Sequence, residues 1–134
     1  MRLLIIAMLG LATGSVQASE IYRCADTEGE IALAFEYDAG AVEPFAWVEM
    51  QLTGDFGIST DPTHRNFDGE FVSDHYVGED FIGADLKVHV NSLPVMQFRI
   101  VRVSEGAHEL MTGGVGVGGG GVWSVICQSE LQTQ

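Results

Sequence analysis

Beyond residue 18 no stretch of the sequence keeps helical periodicity over three turns. Apolar residues fall instead in short alternating runs, punctuated by Gly, Asp, Asn and Pro. Alternation sends successive side chains to opposite faces of a strand, so each run reads as a strand with one buried face. Ile21 to Cys24 is the first, ended by Asp26-Thr27-Glu28-Gly29. In the second, Ile31, Leu33, Phe35 and Tyr37 share a face. The third, Phe45 to Thr53, sets Val48, Met50 and Leu52 against Glu49 and Gln51. A long loop rich in Gly, Asp and Pro follows, with a short strand at Phe56 to Ser59, and Val122 to Cys127 comes last. Seven to nine strands of this size make an all-β domain, a small antiparallel barrel or a two-sheet sandwich, with the balance toward the barrel.

Two hairpins can be read in more detail. A turn at Gly78-Glu79 places Glu70 opposite Lys87, Phe71 opposite Leu86 and Tyr76 opposite Phe81. The same register brings Asp68 opposite His89, a pair that either orients an imidazole or sits on the surface. A turn at Glu105-Gly106 places Arg102 opposite Glu109, Val101 opposite Leu110 and Ile100 opposite Met111.

The N-terminus has the three parts of a secretory signal. Arg2 supplies a positive start, Leu3 to Ala12 an apolar stretch, and Thr13 to Ala18 a small, polar exit with Val16 and Ala18 placed for cleavage. The apolar run is about half the length a membrane span needs. Lipidation is not expected, because the first cysteine, Cys24, follows Arg23. Residues 1–18 are therefore read as a signal peptide and residues 19–134 as one domain, periplasmic or secreted, with no stable membrane anchor after cleavage. In that setting the only two cysteines, Cys24 and Cys127, read as one disulfide joining the first and last strands, with two separate buried thiols as the alternative.

Losing Arg2 leaves five basic residues against nineteen acidic ones, a formal net of −14. Nucleic acid draws its protein partners through basic groups on phosphates, so this composition argues against it. It favours solubility and attraction to cationic partners.

The most unusual segment is Gly113 to Gly121 (GGVGVGGGG). It matches G-x-G-x-x-G twice, yet a short strand follows where a dinucleotide fingerprint needs a helix, and no Lys-Ser/Thr makes it a P-loop. Gly113, Gly114, Gly116, Gly118, Gly119, Gly120 and Gly121 therefore read as a flexible hairpin loop between strands ending near Thr112 and starting near Val122. The functional version of that reading is a mobile arm that inserts into a partner's cleft. Around His64 to His75, Asn66, Asp68 and Gly69 mimic part of a calcium loop. Histidines at its first and twelfth positions reject that motif, leaving a loose surface site of Asp61, Asp68 and Asp74 against ordinary turn roles. His64, His75, His89 and His108 lack close metal-ligand spacing, and no nucleophile or carboxylate pair is marked. No catalytic residue, metal or cofactor is assigned. Trp47 and Trp123 lie within strands and read as packing residues rather than sugar platforms.

In layout, the Tyr22-Arg23-Cys24 start and the late Cys127 resemble the small periplasmic inhibitors of cationic lysozymes, β-barrels with a disulfide near the chain ends. The resemblance implies a barrel and a cationic protein partner. The short inhibitory motif of that family, with its Ser-Gly and Tyr pattern, is not found, so no residue role carries over. The expectation is a non-catalytic binding or inhibitory module acting on a cationic protein. The alternative is a barrel holding a small apolar ligand inside a lining such as Phe35, Val48, Phe71, Leu86 and Phe98. A hydrolase would instead bring His75 or His89 into hydrogen-bond reach of an acid.

Overall fold

Alternation along the chain gives most strands one apolar face, and a single sheet can bury that face only by curling onto itself. The computed structural model describes residues 19–130; the expected signal peptide lies outside the described residues. Nine strands form one antiparallel sheet: β1 (Glu20–Ala25), β2 (Ile31–Tyr37), β3 (Phe45–Leu52), β4 (Gly57–Ser59), β5 (Phe71–Gly78), β6 (Phe81–Lys87), β7 (Met96–Glu105), β8 (His108–Val117) and β9 (Gly121–Glu130). Their order is β4-β3-β2-β1-β9-β8-β7-β6-β5. This is an up-and-down barrel order in which the first and last strands meet but β4 and β5 do not, so the sheet is a curled half-barrel. Short β4 and bulged β5, with Asp74 and His75 near its bulge, are the kind of edges that resist further pairing.

The curl shows in the core. Three strands separate β2 from β7 in the sheet, yet Phe35 stacks on Phe98 with ring centroids 5.0 Å apart. Phe45 closes edge-on against both rings at 5.6 and 5.7 Å, and Tyr22 stacks on Phe35 at 5.3 Å. Phe35, Val48, Leu86 and Phe98, named for a ligand-holding interior, are all fully buried, and the two phenylalanine rings lie against each other. Phe71, the fifth, is not in the core; its neighbour Val72 packs there instead. A bulge between Val72 and Asp74 inverts the facing of the residues before it.

Cys24 and Cys127 lie directly opposite each other on β1 and β9 and form the disulfide, with Cα atoms 4.0 Å apart and a separation of 103 residues. It joins the first and last strands, as the sequence leads one to expect. Asp26 organises the turn after β1: its carboxylate accepts from the Ile31 amide at 3.0 Å, and Gly29 completes the turn at φ +72°.

Both hairpin registers differ from expectation. The β5–β6 turn is Glu79-Asp80, with Gly78 opposite Phe81 and Tyr76 opposite Gly83; beyond the bulge Phe71 faces Lys87 and Val72 faces Leu86. Asp68 precedes β5 and His89 follows β6, so that pair never forms. The β7–β8 turn is Gly106-Ala107, with Gly106 at φ +61°, which places Arg102 opposite Met111 and Val103 opposite Leu110. The shift of two residues keeps every side chain on its expected face. Arg102 and Glu109 become diagonal neighbours, 3.6 Å apart.

The glycine-rich segment is mostly strand, not loop. Gly113, Gly114 and Gly116 belong to β8 and Gly121 opens β9, leaving Gly118, Gly119 and Gly120 as the turn. That turn is tied down: the Gly118 amide donates to the Val95 carbonyl at 3.0 Å, and Gly120 donates to Val117 at 2.9 Å. The reason for glycine at position 113 is the close approach of β7. A Cβ on Gly113 would sit 1.9 Å from the Arg99 carbonyl oxygen on β7, so only glycine lets the two backbones meet this closely.

Candidate functional site

Because odd and even residues face opposite ways, the outer face of β3-β2-β1-β9 is a second surface whose composition owes nothing to the core. Its centre is unusually small. Ala25, Ala32 and Ala34 project there, flanked by Ile126 on one side and Glu49 and Gln51 on the other, and the result is a groove of about 630 Å³. One register row crosses its floor: Ile126 faces Ala25, Ala25 faces Ala32, and Ala32 faces Gln51. Arg23 and Gln128 border it at one side and the Asp26-Thr27 turn at another.

The loop between β4 and β5 supplies the remaining wall, through His64 and Asn66. Its base is stapled to β3: the Val48 amide donates to Thr60 Oγ1 at 2.9 Å, and the Thr60 amide to the Val48 carbonyl at 3.0 Å. Asp61 then accepts from the Thr63 amide at 2.9 Å and from Thr63 Oγ1 at 2.8 Å, bonds that hold its carboxyl below the usual range. Asn66 Nδ2 donates to Gln51 Oε1 at 3.0 Å, passing over Gly57, where a Cβ would come within 2.2 Å of that amide nitrogen. The Asn66 amide donates to His64 Nδ1 at 3.1 Å, turning Nε2 toward Glu49 Oε1 at 3.9 Å.

The electrostatics of the groove are one-sided. Glu49 has His64 as its closest basic neighbour, and Arg23, the one guanidinium on the rim, is held by Glu130. Two more of the chain's few cations are also engaged internally. Arg99 lies across Gly83, 2.8 Å from the buried Asp85 carboxylate and stacked 4.1 Å over the Tyr76 ring. Arg102 donates to the Tyr22 hydroxyl at 2.6 Å. The groove can therefore receive an aliphatic stem on its alanine floor and a positive or donor-bearing head at its carboxylate and amide rim.

A second depression, of about 500 Å³, opens at one end of the half-barrel beside Glu20, Arg102, Glu109 and Ser129. The Tyr22 hydroxyl, bonded to Arg102, donates to Glu20; burial, then this bond, push its ionisation upward. Arg102 donates to Tyr22 and lies 3.6 Å from Glu109, while its buried Nε has no hydrogen-bond partner among the described residues.

The structure distributes the other residues considered from sequence. Asp61 is a turn residue, Asp68 lends its amide to Glu70 at 2.5 Å, and Asp74 faces Asp85 across the ladder. Among the described residues these three do not converge on a metal site. His75 faces Ala84 and the His89 backbone bonds Ser92, so neither meets an acid; the histidine–carboxylate pair among the described residues is His64–Glu49. Trp123 packs against the core and donates to Glu30 at 3.0 Å, whereas Trp47 is half-buried on the outer face opposite Glu36. The groove was not foreseen, although the repeated alanines of Ile31-Ala32-Leu33-Ala34-Phe35 on a polar face were its one visible signal. No family model, curated protein or solved structure matches the chain.

Proposed function

We propose that this chain is a non-catalytic binding module, working in the periplasm or outside the cell, that captures a cationic polypeptide by taking one of its basic side chains into the alanine-floored groove. The observation that carries the reading is the groove's composition: a floor of Ala25, Ala32 and Ala34 beneath a rim whose only guanidinium, Arg23, is already neutralised by Glu130. A lysine or arginine lays its methylenes on such a floor and keeps its charge at Glu49 and Asp26. The formal net of −14 for residues 19–134 steers such a partner toward the domain. The disulfide is compatible with an oxidising compartment, and the signal-like start of the sequence supports export.

The test is calorimetric titration of residues 19–134 with a cationic lysozyme and with a second cationic protein of unrelated shape, at about 0.02 M and about 0.15 M salt. Binding that weakens with salt and is abolished by the groove-filling substitution Ala32→Phe is the expected outcome. Absence of binding to both proteins at the lower salt overturns the reading.

A further inference from the structure

The groove continues into a surface of a different kind. In the middle of this face β8 turns Leu110, Thr112, Gly114 and Gly116 outward, β9 turns Val122, Ser124 and Ile126, and β7 turns Val101 and Val103; Arg99, on the same face of β7 opposite Gly114, leans away across Gly83 to Asp85. Apart from Arg99, not one of these residues is charged, in a chain where nineteen residues are acidic. Val101, Val103, Leu110 and Ile126 are each about half exposed, between 46% and 59%, and nothing among the described residues covers them. The register makes them neighbours: Val103 faces Leu110, Val101 faces Thr112, and Thr112 faces Ile126. Gly114 and Gly116, which have no Cβ, leave the middle of this area flat.

Ile126 belongs to both surfaces, since it lines the groove and ends the uncharged strip. The charged groups stand around them rather than within. Glu105 and His108 face each other at the β7–β8 turn, the Arg99–Asp85 pair borders the strip on the β6 side, the Arg23–Glu130 pair ends β9, and Asp26 and Glu49 lie on the far side of the groove. An apolar centre within a charged rim is how protein interfaces are built. The groove alone is the size of a small-molecule site, and a stable protein contact needs about 800 Å² from each partner, so a polypeptide seated in the groove must also rest on adjoining surface. A second copy of this chain would press its own carboxylate rim against this one. The rim selects a partner of opposite charge.

Building on the proposed function, we infer that the flat, uncharged strip of β7, β8 and β9 is the second half of the same interface, and that the cationic polypeptide lays an aliphatic surface on it while its basic side chain enters the groove. The glycines of β8 thus serve both faces of the sheet. Gly113 permits the close approach of β7 on the inside, and Gly114 and Gly116 keep the outside level.

The experiment uses the same cationic lysozyme and the second cationic protein as probes. Gly114→Gln adds neutral bulk to the strip where a Cβ meets nothing nearer than 3.8 Å, so the fold tolerates it. Val42→Gln, on an exposed loop, is the control. The inference expects Gly114→Gln to weaken binding of the responding probe about tenfold at both salt concentrations with an unchanged salt slope, as loss of a central contact does. It expects Glu49→Gln to flatten the slope and Val42→Gln to change nothing. If Gly114→Gln binds like the wild type while Ala32→Phe does not bind, the groove reading stands and this inference falls. If neither probe binds the wild type, both fall together.

Discussion

Gly113 and Gly114 are adjacent in sequence and on opposite faces of β8, and alanine should act on them with opposite sign. At Gly113 the new Cβ would lie 1.9 Å from the Arg99 carbonyl oxygen and 2.8 Å from the Ile100 Cα; contacts under 3.0 Å essentially never occur, so β7 must retreat by about 1 Å. These are backbone atoms in the middle of a ten-pair ladder, with no flexible side chain to give way. Overpacking costs about 1 to 3 kcal/mol, and one ladder bond weakened by the retreat costs about 1 more. Against this, alanine recovers about 0.5 to 1 kcal/mol of glycine's chain entropy. The net for Gly113→Ala is about 1 to 3.5 kcal/mol of destabilisation, centred near 2. At Gly114, with only ordinary contact around the site, the entropy gain stands alone and Gly114→Ala should stabilise by about 0.5 kcal/mol or more. Urea unfolding read by tryptophan fluorescence separates them: with m near 1.5 kcal/mol/M, the two midpoints should lie roughly 2 M apart on either side of wild type. Midpoints that move the same way, or a Gly113→Ala variant as stable as wild type, would refute close backbone approach as the reason for glycine.

Other predictions follow from the same geometry. Replacing Cys24 and Cys127 together by serine releases a 103-residue separation, and the chain-entropy estimate is a loss of about 4 to 5 kcal/mol, measured by urea unfolding beside the oxidised protein. Arg99→Gln leaves the Asp85 carboxylate buried without its cation and should cost about 3 kcal/mol, whereas adding Asp85→Asn to it should recover part of that loss in a double-mutant cycle. Burial raises the ionisation of both Tyr22 and Tyr37 above the ordinary value of 10.0. Below pH 10 both folded and unfolded chains keep these protons; above it the unfolded chain loses them first, so stability should fall as pH rises past 10. Ultraviolet titration of phenolate should show these two tyrosines ionising later than in the urea-unfolded chain.

Strand positions were legible because one face of most strands is buried: Ile31, Leu33, Phe35 and Tyr37 all enter the core from β2, as alternation requires. The pairing of Cys24 with Cys127 was legible from the signal-like start and the count of two cysteines. Register was not, because Gly78-Glu79 and Glu79-Asp80 differ by one residue and either is an acceptable turn. The bulge at Val72 to Asp74, which exchanged Phe71 for Val72 in the core, has no local signature. The glycines of β8 misled for a physical reason: low strand propensity describes an isolated strand, while Gly113 answers to the backbone of β7. Of the groove, the alanines were visible and their meaning was not, since His64 and Asn66 reach it from a loop whose path depends on Gly57 and Thr60.

Methyl NMR of residues 19–134, labelled at alanine, isoleucine and methionine, most directly tests which surface does the binding. On saturation with the cationic lysozyme, the methyls of Ala25, Ala32, Ala34 and Ile126 should shift while that of Met111, beside the depression at the end of the half-barrel, stays in place. A complex in which Met111 moves and the three alanines do not would contradict the account.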